Sequence, residues 1–214
     1  MSNTLKYLII STFIIALVCL SYYYLDRSIV TWLHAHHTRQ WHALHWISDG
    51  IPRALCIALT GYCLIYALSI MLSKPIGSAA LPVVYTTAST FFVKSFIKKI
   101  FGRYWTGTFV CNNPSFVRDH VYGFNWFTSG SAYESFPSGT TAITVACMVG
   151  LHRLYPGMSW LWAIIGIAVA LSQIVLYYHF LSDVIAGAAL GGLIAHAIHH
   201  HCTHATTYHS PQKS

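Results

Sequence analysis

Charge is what this sequence has least of. Five acidic side chains (Asp26, Asp49, Asp119, Glu134 and Asp183) and twelve Lys and Arg make up 8% of its 214 residues, while 55% are hydrophobic. A water-soluble domain carries about a quarter of its residues charged, so this composition excludes one and points to an integral membrane protein. Cysteine occurs six times (positions 19, 56, 63, 111, 147 and 202), but there is no CxxC and most of the six lie in or beside apolar runs. Neither a zinc site nor a disulfide framework follows. No internal repeat is visible. The basic residues are not gathered on one face or tail, so the formal charge of +7 reads as membrane topology plus an anionic substrate, with no nucleic-acid partner. Histidine is plentiful, yet His34, His36, His37, His42 and His45 lack the spacing and carboxylate partner of a ligand set. No metal and no other cofactor is expected.

The apolar runs predict an all-α polytopic membrane protein: six transmembrane helices, an interfacial helix, and one large loop over the face that carries the motifs. The first run, Leu5 to Leu25, is long enough to cross ~30 Å of hydrocarbon and ends in SYYYLDR without a small-x-small cleavage pattern. It reads as an uncleaved span with Tyr22, Tyr23 and Tyr24 at the interface. From Asp26 to Arg53 the chain is polar and aromatic, and a helix there is expected along the membrane surface with Trp32 and Trp46 as anchors. Further spans are expected at about Ala54 to Leu72, Ala79 to Phe101, Pro137 to Tyr155, Trp160 to Tyr178 and Ser182 to His199, with turns at Pro75–Gly77 and Pro156–Gly157. Gly187 and Gly191 share a face of the last span and read as helix-packing positions. Residues 1–200 form one membrane domain, and 201–214 a histidine-rich tail with no hydrophobic pattern, expected to be disordered.

Three stretches carry chemistry. In LSQIVLYYHFLSDV, His179 and Asp183 stand four apart, on one face of a helical turn. There the carboxylate can fix the imidazole tautomer and leave the other ring nitrogen free as a nucleophile or base. Asp183 with Ser182 could equally cap the next helix. Lys94, Lys98 and Lys99 lie in the last part of the third run, where charge is costly unless it snorkels or lines a polar cavity. Pro137-Ser138-Gly139 opens the fourth span with a helix-starting proline, a hydroxyl, a glycine and unpaired N–H groups suited to an anion. Alternation of six spans brings all three to one membrane face, together with the 102–136 loop and every acidic residue of the chain. A basic helix end, an anion-binding helix start and a His–Asp pair together describe phosphate chemistry.

KKIFGRYW, FPSGT and SQIVLYYHFLSD, in this order, resemble the type 2 phosphatidic acid phosphatases, membrane relatives of the vanadium haloperoxidases, whose pattern is K-x6-R-P, P-S-G-H and S-R-x5-H-x3-D. The resemblance covers residues 94–191, and its third motif is matched in spacing by Ser172, His179 and Asp183. It implies a lipid phosphate substrate and a phosphohistidine mechanism: His179 attacks phosphorus, Asp183 orients it, and Lys98, Arg103, Ser138 and the Gly139 amide hold the equatorial oxygens. Lys94 and Lys99 are the alternatives to Lys98. Thr140 and Gln173 complete the phosphate-binding positions with altered chemistry. Thr140 stands where the family has the histidine that protonates the leaving group, Gln173 replaces an arginine, and the first motif lacks its usual spacing and proline.

These departures leave three outcomes open: a diphosphate substrate whose leaving group needs little help, a substitute donor such as His120, or a weakened enzyme. Candidate substrates are lipid A, undecaprenyl diphosphate, phosphatidic acid and phosphatidylglycerol phosphate; the alternative is a lipid-phosphate-binding protein impaired in turnover. A count of basic residues by face points the motif side to the cytoplasm. The resemblance implies instead a periplasm-facing site in a bacterial inner membrane. Oligomeric state is not legible.

Overall fold

The apolar runs and their breakers set the helix boundaries. The computed structural model describes residues 3–208, with side chains for 5–201. Among these the chain forms nine α-helices: α1 (Asn3–Leu20), α2 (Asp26–Ala35), α3 (His42–His45), α4 (Ile51–Met71), α5 (Leu81–Phe101), α6 (Phe116–Asp119), α7 (Gly139–Leu154), α8 (Ser159–Val175) and α9 (Leu181–Tyr208). Pro52 and Pro82 sit in the first turns of α4 and α5, where a missing N–H costs nothing. Gly102 ends α5 in the left-handed region at φ 55°. A Cβ there would lie 1.9 Å from the Asn125 carbonyl oxygen, so only glycine fits.

The outer surface is apolar and much of the interior polar. Leu8, Phe13, Ile57, Leu64, Trp160 and Ile167 are more than half exposed, while Thr86, Thr90, Thr141, Thr144, Ser172 and Gln173 are buried. In water this distribution would be unstable; in lipid it is the expected one, with small and polar residues where helices meet. Leu5–Ala35, His42–Met71, Pro156–Val175 and Leu181–His201 are long and apolar enough to cross a membrane. The remaining two of the six expected spans differ in kind. α7 has 16 residues, a rise of about 24 Å. α5 has the length but carries Lys94, Lys98 and Lys99. α7 packs inside, its Cys147 and Met148 on Val83 of α5 with Leu55, Leu59 and Trp162 against them, while α5 buries one face and leaves Phe91, Phe92 and Phe96 exposed on the other.

α7 lies against α9 at backbone distance. A Cβ on Gly191 would stand 2.2 Å from the Ala142 carbonyl oxygen, and one on Gly187 2.5 Å from that of Ser138. Backbone cannot yield as a flexible side chain can. Gly191→Ala is therefore expected to cost about 1–3 kcal/mol and to lower the unfolding temperature in detergent, a loss that unchanged melting would refute.

The stretch expected along the surface is arranged differently. α1 runs through a π-helical turn (Ser21–Leu25) straight into α2, with no break between them. Asp26, at the start of α2, is fully buried. Val30 and Leu33 on the same helix pack on Tyr177 and Phe180, so α2 is held against the α8–α9 connection by its own apolar face and one buried acid. Of the histidine-rich tail, α9 takes in the part to Tyr208; 209–214 lie outside the described residues.

Candidate active site

The α8–α9 connection, residues 176–180, carries His179. The Gln173 carbonyl accepts from the N–H groups of Tyr178 and His179, at 3.0 and 3.3 Å, and Thr106 Oγ1 donates to the carbonyls of Tyr177 and Tyr178. The connection is thus pinned from α8 and from the 102–138 loop. That loop is ordered by its own polar groups. Asn113 Oδ1 accepts from the amides of Phe109 and Val110 at 2.7 and 2.9 Å, and Ser115 caps α6. Its Phe124, Trp126 and Phe136 cluster with Phe101 at the end of α5.

His179 is buried, and its Nδ1 faces Asp183 Oδ2 at 3.6 Å. This is just beyond hydrogen-bond length, and Nδ1 has no other partner. The opposite ring nitrogen, Nε2, is turned away from the acid by the geometry of the ring. Burial pushes the imidazole pKa below its ordinary value against the raising pull of Asp183, which leaves the ring neutral, with a free lone pair, near pH 7. Asp183 is itself held: Oδ2 accepts from Ser135 Oγ at 2.7 Å and from the Phe180 amide at 3.1 Å, while Oδ1 pairs with Arg103.

Two cavities meet at His179. One, of about 340 Å³, is lined by Lys94, Lys98, Arg53, Glu134, Gly139 and Thr140 among others. The second, of about 430 Å³, carries Arg39, Asp49, Thr108, Phe109, Gln173 and Tyr178. His179, Thr140 and Trp105 belong to both walls. Lys98 is buried and donates to the Glu134 carbonyl, its Nζ 5.4 Å from the Trp105 ring centroid. Lys94 reaches the start of α7, where a Cβ on Gly139 would meet its Cδ at 2.9 Å. The glycine thus makes room for a cation. Lys99 is exposed and lines neither cavity.

Several expected site residues hold other places. Arg103 is fully buried between two carboxylates, Asp26 at 2.7 Å and Asp183, and also donates to Ser182 Oγ at 2.7 Å and Tyr122 OH at 3.1 Å. Burial alone would lower its pKa, but Asp183 and Asp26 more than offset this and keep it charged. It lines neither cavity, so its expected position on the phosphate is not the one it occupies here. Ser138 is the N-cap of α7: its Oγ accepts from the Thr141 amide at 3.4 Å and bonds the Thr141 hydroxyl at 2.9 Å. Gln173 lines the second cavity, but its amide donates to Ser48 Oγ at 2.6 Å. His120 is exposed at the end of α6 and lines neither cavity.

The sequence reading missed Asp26, Arg39, Asp49 and Arg53. Only Asp26 gave a signal: an acid at the end of a long apolar run needs a cation brought to it.

A family model described as the PAP2 superfamily matches residues 79–206. A lipid A 1-phosphatase of Porphyromonas gingivalis is 41% identical over 69 residues, which is 30% of this chain and 16% of that protein. A lipid A 1-phosphatase of Rhizobium etli is 31% identical over 80 residues, 37% of this chain and 34% of that protein. The matched segments thus span well under half the length of either relative. Among solved structures, a PAP2-type phosphatidylglycerolphosphate phosphatase from Bacillus subtilis is similar, at 15% identity and a TM-score of 0.48, over 90% of this chain and 94% of the other.

Proposed function

Because the chain belongs to the PAP2 superfamily, whose model matches more than half of it, we propose that it is a membrane lipid phosphatase working through a phosphohistidine at His179. The observation that carries this reading is the meeting of a neutral, carboxylate-backed imidazole with Lys94, Lys98 and the start of α7 at one cavity wall. The lone pair of Nε2 forms an N–P bond while the P–O bond to the lipid breaks and the leaving oxygen takes a proton. Water then attacks phosphorus, the N–P bond breaks, and inorganic phosphate leaves. Lys98, Lys94 and the Gly139 amide hold the equatorial oxygens. Each such donor is worth on the order of 3 kcal/mol in the transition state. Asp183 positions His179, and Arg103 with Ser138 positions Asp183 and the start of α7.

The substrate is a lipid phosphate or diphosphate. The apolar exterior and the lipid A 1-phosphatase relatives favour lipid A-type headgroups. A periplasm-facing site in a bacterial inner membrane follows from the same reading. A second reading, a lipid-phosphate binder impaired in turnover, is favoured by one observation: Thr140, in both cavity walls, offers no acidic proton.

Rapid quenching of purified protein with ³²P-labelled lipid phosphates separates the two. The expected result is a labelled protein, stable in alkali and lost in acid, that forms before free phosphate appears. Saturable lipid binding with neither label nor release would establish the binder, and release without label would remove the covalent step.

A further inference from the structure

We propose that Arg39 forms a second anion subsite beside His179, making the substrate class a lipid with two phosphate groups, one hydrolysed while the other is held. This deepens the reading of His179 as the nucleophile and rests on it.

The two cavities share His179, Thr140 and Trp105, but each has its own cations. Lys94, Lys98 and Arg53, set against Glu134, already match one phosphoryl group in the first. Arg39 stands alone as the cation of the second. Its guanidinium lies 4.3 Å from the Phe109 ring centroid and 5.0 Å from that of Tyr178. The rings hold the guanidinium at the cavity wall, where it also hydrogen-bonds Tyr178, and with five N–H donors a guanidinium keeps others for a phosphate. Among the described residues no salt bridge joins Arg39 to a carboxylate. Asp49 faces the same cavity and opposes an anion there, so it tunes the subsite downward.

The leaving group gives an independent reason. An alkoxide departing from a monoester depends on a general acid worth about 10²–10⁴ in rate, and Thr140 carries none. A departing phosphate, whose second pKa is about 6, needs no such help. A second phosphate placed elsewhere on a headgroup would fill the Arg39 subsite without easing departure, so two sources share this chemistry.

The test compares kcat/KM of the full chain in detergent on two substrate pairs: farnesyl diphosphate against farnesyl phosphate, and a disaccharide lipid phosphorylated at both ends against one phosphorylated once. Arg39→Gln is expected to lower the two-phosphate to one-phosphate ratio about tenfold or more, Arg39→Lys to lower it less, and Asp49→Asn to raise it. A fall in the farnesyl pair identifies an anhydride-linked substrate; a fall in the disaccharide pair alone identifies separated phosphates. A ratio unmoved in both pairs by all three variants overturns the subsite, whatever happens to the overall rates. Wild-type release by His179→Asn would instead remove the nucleophile reading beneath it, so the two failures are distinct.

Discussion

Replacing His179 by asparagine is expected to reduce phosphate release roughly 10⁴- to 10⁶-fold, the range seen when an enzymatic nucleophile is removed, with little change in melting temperature. Asparagine retains a polar group facing Asp183, which keeps its other contacts with Ser135, Phe180 and Arg103. Loss of release would then report chemistry and not collapse. The pH profile gives a second readout. Attack requires the neutral ring, and burial lowers the His179 pKa, so the acid limb of kcat/KM is expected below the ordinary imidazole value of about 6.5. Asp183→Asn removes the pull that opposes this lowering. Its acid limb is expected to move further down in pH while the plateau falls by about 10²–10⁴. A rate for His179→Asn within tenfold of the unaltered protein would end the phosphohistidine reading.

The second large effect concerns Arg103. Arg103→Met is expected to leave Asp26 and Asp183 buried with no cation between them, and breaking a buried pair in this way costs about 3–5 kcal/mol. Ser182 adds to the penalty, because its amide and hydroxyl both donate to Asp26 and rely on that carboxylate remaining charged and in place. Unfolding temperature in detergent, without substrate, should fall steeply, and Asp26→Asn added to Arg103→Met should recover part of it. A side chain whose only task was to bind phosphate would leave the melting temperature alone and raise KM. That pattern would return Arg103 to the substrate.

What could be read from the sequence was local. His179 and Asp183 are a pair within one turn, Ser138-Gly139 marks a helix start, and Gly187 with Gly191 marks a close-packed face; each is a short-range pattern that the structure keeps. Counting alternating spans placed the motifs on one side, and they do converge, although the lysine-bearing α5 and the shorter α7 differ in character from the four apolar helices. The illegible parts are long-range. Asp26 and Arg103 lie 77 residues apart, and no periodicity connects them. Arg39 and Asp49 sit in a stretch read as interfacial, where a surface helix and a cavity wall have the same composition. Arg103 and Ser138 were identified as polar residues near the phosphate, but residue type alone cannot tell a group that touches substrate from one that braces its neighbour.

The close seam of α7 and α9 also fixes one wall of the site. Two glycines set main chain on main chain along it, and the Ser138 amide donates to the Asp183 carbonyl at 3.0 Å, so the start of α7 and the acid behind the imidazole are tied to each other through the backbone. The opposite wall of the cavity is built differently, from Pro52 and Arg53 at the start of α4 and from Lys94 and Lys98 of α5, so side chains and not main chain face His179 there.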